Sequence, residues 1–115
     1  MINNRKTCTY HCEVDAAFAI MGGRWKAQII WHISDGNPRF KELRNMLKTV
    51  SQRMLSKQLK ELEDDGLVTR TVYTEVPIRV EYQLTEAGRA LLPIMKELGT
   101  WVKEKCPEIV KRIEQ

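Results

Sequence analysis

The stretch from Ser51 to Gly66 constrains this chain more than any other, because it joins a complete helix signature to a sharp division of faces. Leu55, Leu59 and Leu62 recur at spacings of four and three, which places them on one side of an α-helix. Met54 reads as part of the same apolar stripe. At about 100° per residue, Arg53, Ser56, Lys57 and Lys60 centre on nearly the opposite side. Ser51 can accept a hydrogen bond from an otherwise unpaired backbone N–H and so serves as N-cap. Met54 occupies the position where a capping box would need Glu or Gln, so the helix start rests on Ser51 alone. Gly66 suits the left-handed position that closes a helix. Such a helix buries its leucines on a neighbour and leaves hydrogen-bond donors outside.

The neighbours supply that packing. Phe40, Leu43 and Leu47 share a face of a short helix, which is expected to pack on Leu55 and Leu59 after a break at Lys48-Thr49-Val50. Two strand-like runs follow, Val68 to Tyr73 and Arg79 to Leu84, with Pro77 between them. In the second, Val80, Tyr82 and Leu84 alternate with Arg79, Glu81 and Gln83, the pattern of a strand with one wet face. This order predicts an α+β fold: a winged helix-turn-helix, with the helix pair over about 39–66 and a wing hairpin over about 68–84. That shape docks on duplex DNA.

Charge agrees with the shape. From Arg39 to Lys60 the chain carries seven basic residues (Arg39, Lys41, Arg44, Lys48, Arg53, Lys57, Lys60) against one acidic residue, Glu42. Glu61, Glu63, Asp64 and Asp65 then reverse the sign. A single-sign field confined to one part of a small domain favours a polyanionic partner, although a solvated helical face also carries Lys and Arg. The overall charge of +4 says little by comparison.

The flanks read as follows. Residues 1 to 11 look like a loose arm. Val14, Ala17, Phe18 and Met21 mark a short helix, interrupted by Gly22-Gly23. Trp25, Ile29, Ile30 and Ile33 form a second stripe, with Lys26 assigned to its polar side. Asp35-Gly36-Asn37-Pro38 is a turn. Thr85 is expected to cap a helix through Ala87, Ala90 and Leu91, and Pro93 either stops that helix or starts a new one. Ile94, Leu98, Trp101 and Val102 make a further stripe, with Ile109, Val110 and Ile113 beyond it; a terminal helix over about 94–114 is expected to meet a second subunit. The 115 residues suffice for one domain over 1–115.

Other classes are disfavoured. No apolar run approaches the roughly 20 residues needed to cross a bilayer, and the polar N-terminus leads into no signal-peptide core, so a cytoplasmic location is expected. There is no glycine-rich phosphate loop, no close carboxylate pair and no nucleophile–base spacing, so no enzyme and no cofactor are expected. His32, among Ile30, Trp31 and Ile33, reads as a satisfied structural histidine. Cys8, Cys12 and Cys106 form an odd set, which argues against an internal disulfide framework. Cys8-x-x-His11-Cys12 does not have the spacing of a common zinc knuckle, and no metal is expected. A redox switch is open, including a disulfide from Cys12 of one subunit to Cys106 of another; plain buried thiols are the simpler reading.

Taken with these features, the sequence resembles the MarR-like HxlR family of bacterial winged-helix transcription regulators over roughly Cys12 to Trp101. The resemblance rests on Cys12, Ile20 through Gly22-Gly23-Arg24-Trp25-Lys26, Gly36-x-x-Arg39-Phe40-x-Glu42-Leu43, Ser51-x-x-x-Leu55, Leu59-x-x-Leu62-Glu63-x-x-Gly66-Leu67-Val68-x-Arg70, Pro77-x-x-Val80-Glu81-Tyr82-x-Leu84-Thr85-x-x-Gly88, and Trp101. It implies a homodimer held by N- and C-terminal helices, with Val14 and Phe18 joining Ile94, Leu98, Trp101 and Val102 in the contact. It implies a roughly palindromic operator and action as repressor or activator. It also implies an electrophile or oxidant response through Cys12 in some members. Here Glu13 follows Cys12 where the family usually has proline, setting a negative charge beside the thiol.

The expected division of labour on double-stranded DNA is physical. Lys41, Arg44, Lys48, Lys57 and Lys60 supply phosphate attraction and register. Gln52, Arg53, Ser56 and Lys57, early on the exposed helix face just after Ser51, are the candidates for base edges. Arg79 at the base of the wing is expected at the backbone or minor groove. Arg39 either contacts phosphate or pairs with Glu42 or a more distant carboxylate. Trp25 and Trp101 read as core or interface residues, although an effector pocket for a small molecule could use such aromatics. A winged-helix protein-interaction module without specific DNA binding is the alternative, and the basic helix face argues against it.

Overall fold

A computed structural model describes residues 11–113. The elements run α1 (Glu13–Met21), α2 (Lys26–Ser34), α3 (Phe40–Leu47), α4 (Gln52–Asp64), β1 (Val68–Tyr73), β2 (Arg79–Leu84), α5 (Glu86–Lys105) and α6 (Pro107–Val110). Residues 1–10, expected as an arm, lie outside the described residues.

The core forms where α2, α3 and α4 meet the hairpin. Ile29, Ile30 and Ile33 of α2 join Leu43 and Leu47 of α3, and Leu55, Leu59 and Leu62 of α4. Val50 plugs the turn between α3 and α4, and Leu67, Val68, Tyr82 and Leu84 close the cluster from the wing side. The leucines of α3 and α4 thus share one core, with α2 packed against both helices. Met54 is not part of the stripe: it is exposed, with its sulfur 3.4 Å from the Gln58 side-chain nitrogen. It lies on the flank of the leucine row, about 100° round the helix from Leu55.

Local chemistry fixes the ends. The Met54 N–H donates to Ser51 Oγ at 3.0 Å, and the Gly88 N–H donates to Thr85 Oγ1 at 3.1 Å. Gly66 takes φ 80° just past α4, where the Leu67 N–H turns back to the Leu62 carbonyl at 2.9 Å. Gly88 is needed for a different reason: a Cβ there would stand 2.3 Å from the Leu67 carbonyl oxygen, so its absence lets α5 begin against the start of β1.

β1 and β2 pair antiparallel, with Val68 opposite Leu84 and Tyr73 opposite Arg79. The hairpin is also tied to the approach to α3. The Tyr82 N–H donates to the Pro38 carbonyl at 2.8 Å, and Arg39 forms an isolated bridge with Glu81.

Three further expectations need correction. Lys26 is not on a polar side but buried at 2% exposure. Positions 26, 29, 30 and 33 share one helical face, so the spacing placed Lys26 inward and only its charge suggested otherwise. Pro93 neither ends nor begins a helix; it lies inside α5, which runs unbroken from Glu86 to Lys105. Leu91, Leu92 and Met95 pack on the core around it, and that burial offsets the lost hydrogen bond. The terminal segment is not one helix over 94–114: α5 ends at Cys106, and Pro107 opens the short α6.

None of the nine residues of α1 is buried. Its apolar side chains meet α5 across shallow grooves, one lined by Phe18, Met21, Ala27, Met95 and Leu98 and a neighbouring one by Ala17, Ile20, Leu91 and Ile94.

Candidate nucleic-acid interface

α4 presents the face its sequence implied. Gln52, Arg53, Ser56, Lys57 and Lys60 are all exposed, while Leu55, Leu59 and Leu62 on the other side are within 1% of full burial. Ser51 is exposed at the helix start. Lys41 and Arg44 are exposed on α3, and Lys48 is exposed in the turn before α4. Lys48 holds φ 55° and ψ −59°, an uncommon conformation for a residue with a side chain. The fold thus gathers α3, the turn and the start of α4 into one basic surface.

Ion pairing sorts these cations. Among the described residues, Lys41, Arg44, Lys48, Arg53 and Lys57 have no carboxylate partner. They are free to meet an external anion. Lys60 is 3.3 Å from Asp64, one turn on, in an exposed pair of small energetic weight.

Two arginines at the wing, Arg39 and Arg79, are held. Arg39 Nε lies 3.7 Å from Glu81 Oε2, and Arg79 Nη1 lies 3.5 Å from the same oxygen. Arg79 Nη2 also reaches Glu75 at 3.2 Å, and its guanidinium stacks 4.2 Å from the Tyr73 ring centre. Of the partners considered for Arg39, the side chain meets the distant carboxylate, while Glu42 accepts from the Arg39 backbone N–H at 3.0 Å. Arg79 is half-buried and pre-engaged rather than a free wing-tip cation. The wing tip itself exposes Val76, Pro77 and Ile78.

Sequence reasoning missed the carboxylates. Glu81 on β2 organises Arg39 and Arg79, and Glu61 on α4 pairs with Lys26 of α2 at 2.5 Å. Glu81 carried a signal, since it falls on the wet face of β2 two residues from Arg79. Glu61 carried none beyond its place on the flank of the leucine stripe.

The candidate interface residues on the other side of the molecule are also placed. Val14, Phe18, Ile94, Leu98 and Trp101 are exposed and Val102 is half-buried. Trp25 packs against the core, unlike Trp101. Cys12 is exposed immediately before α1, which corrects the buried-thiol reading for it, and Cys106 is half-buried at the end of α5. Cys8 lies outside the described residues. His32 is half-buried with Nδ1 lacking a hydrogen-bond partner among the described residues, so the satisfied role expected for it is incomplete.

A helix pair with a free basic face, braced by an antiparallel hairpin, defines a winged helix-turn-helix. The chain belongs to the HxlR-like helix-turn-helix family, whose model matches residues 20–110. It is 43% identical over 103 residues to YdeP of Bacillus subtilis (strain 168), described as an uncharacterized HTH-type transcriptional regulator, covering 90% of this chain and 80% of YdeP. The reduced form of YodB from B. subtilis superposes with a TM-score of 0.76 at 41% identity, covering 83% of this chain and 94% of YodB. Reduced HypR, described as a redox regulator, superposes with a TM-score of 0.78 at 42% identity, covering 88% of this chain and 99% of HypR. YodB has also been solved diamide-treated and quinone-bound, and HypR oxidised. No helix among the described residues is long and apolar enough to cross a membrane.

Proposed function

We propose that this protein is a sequence-specific DNA-binding transcriptional regulator, acting as a homodimer on a pseudo-palindromic operator, with DNA binding that responds to chemistry at Cys12. The observation that carries the reading is the row Arg53, Ser56 and Lys57, exposed along α4 away from its buried leucines, with Gln52 exposed in the same first turns. In the major groove, Arg pairs with guanine and Gln with adenine. Lys41, Arg44 and Lys48 hold phosphates and set register. Arg39 and Arg79 lie beside them but are held by the Glu81 carboxylate, so they reach phosphate only where it displaces that carboxylate.

The dimer reading is supported by α1, which buries no residue and yet carries Val14 and Phe18. A nine-residue helix is marginal in water without packing on its apolar face. Exposed Ile94, Leu98 and Trp101 on α5 continue that apolar surface. Two copies joined there read half-sites about 34 Å apart, one turn of DNA.

Fluorescence anisotropy on genomic duplex fragments at several salt concentrations tests the reading. Binding that weakens steeply as salt rises is expected, because phosphate contacts release counterions. Affinity independent of salt sinks the electrostatic basis, and no binding at all favours a protein-interaction role.

The thiol response is supported by the exposure of Cys12 at the start of α1 and by the redox and quinone states in which YodB and HypR have been solved. Diamide or a quinone is expected to change operator affinity in the parent and to leave Cys12→Ser unaffected. Non-reducing electrophoresis separates the routes: a dimer-sized band lost both in Cys12→Ser and in Cys106→Ser identifies a Cys12–Cys106 link between subunits. A parent whose affinity ignores both reagents rules the response out.

A further inference from the structure

Among the described residues, Lys26 is the only buried charged side chain. It opens α2, and its Nζ lies 2.5 Å from Oε1 of Glu61, itself 13% exposed, near the C-terminal end of α4. An arrangement of this kind needs a reason. Taking two charges out of water costs much of what their attraction returns, and a well-packed apolar pair would serve stability as well or better. What an ion pair adds is direction.

α4 is otherwise held to the core by Leu55, Leu59 and Leu62. Apolar burial is non-directional, so a leucine stripe fixes how close α4 lies but resists rolling and sliding only weakly. A charged contact on the flank of that stripe resists both. Roll about the helix axis decides where Gln52, Arg53, Ser56 and Lys57 point. The Ser51 cap orders the front of α4 only within its own segment. Lys26–Glu61 therefore ties the far end of α4 to a different element, α2.

We propose that Lys26 and Glu61 are positioning residues for DNA reading: the pair sets the roll and axial position of α4, and its contribution lies in sequence discrimination rather than in stability. This rests on the DNA-binding function proposed above.

The test compares stability with discrimination. The parent protein selects an operator from a random duplex library, and its affinity is measured for that duplex and for unselected duplex. Lys26→Met alone takes from Glu61 its partner on α2 and is expected to lower Tm. The double variant K26M/E61M removes both charges at similar volume and is expected to return Tm towards the parent. Its ratio of operator to random affinity should nevertheless fall by about tenfold, the size of one good base contact. Glu61→Asp is measured beside it. It keeps the charge but shortens the reach by one methylene, and a reduced ratio is expected with Tm near the parent value. If K26M/E61M does not fold, Glu61→Asp decides. A folded K26M/E61M or Glu61→Asp that discriminates as well as the parent overturns the positioning role. A parent that selects no sequence overturns the DNA-binding function, and the inference with it.

Discussion

Arg53 stands without an ion-pair partner on the exposed face of α4, whereas Arg39 and Arg79 share one carboxylate oxygen of Glu81. These two states of an arginine predict opposite mutational effects. Arg53→Ala should weaken operator binding by about 1–3 kcal/mol and random-duplex binding by much less, if it meets a base in the major groove. Titration against both duplexes checks this, and an equal loss on both would reassign Arg53 to phosphate. Glu81→Gln removes the charge that holds Arg39 and Arg79. Binding to random DNA should tighten, and the salt slope should steepen by about 0.9 for each arginine released to a phosphate. A slope identical to the parent's would mean that Glu75 and Tyr73 hold Arg79 without help.

At the scale of elements, α4 performs two jobs on two faces, and the residues of each face fail differently. Leu59 is within 1% of full burial at the centre of the α2–α3–α4 core. Leu59→Ala should cost about 2–5 kcal/mol through the cavity it leaves. Thermal unfolding should show a Tm lower by roughly 10 °C or more. DNA affinity measured well below that Tm should stay near the parent value, because Leu59 reaches no solvent and can touch no base. A parental Tm combined with weakened binding would contradict the face assignment. The wing is a second case of an element set by its neighbours. Its strands follow from alternation, but its attachment follows from the Tyr82–Pro38 hydrogen bond and the Arg39–Glu81 bridge.

For the whole molecule, α5 divides its apolar residues between two partners. Leu91, Leu92 and Met95 turn to the chain's own core, while Ile94, Leu98 and Trp101 remain outside with Val14 and Phe18 of α1. A surface of this kind on a small domain is expected to meet another copy. Phe18 is 59% and Trp101 56% exposed, so charges there should leave the single chain's stability within about 0.5 kcal/mol. Phe18→Glu with Trp101→Glu should convert a dimer to a monomer in sedimentation equilibrium. Affinity for a two-half-site duplex should then drop towards that for one half-site. A variant that remains dimeric would place the interface elsewhere.

The α3, α4, β1 and β2 boundaries, the Ser51 and Thr85 caps and the outward face of α4 were legible in the sequence. Each depends on backbone periodicity or on a side chain bonding a backbone group a few residues away, and such interactions are encoded where they occur. The basic residues of that surface were legible for the same reason. The sequence did not determine which cations are free. Lys26 read as polar because its partner, Glu61, is brought to it only when α2 packs across α4. Arg79 read as a wing contact because Glu75, Glu81 and Tyr73 surround it only in the folded hairpin. Pro93 read as a boundary because the packing that carries α5 through it comes from the core. Local periodicity determined the elements of this protein. Tertiary structure decided the state of its charges, because a charge is defined by what it is buried against and paired with, and those partners are distant along the chain.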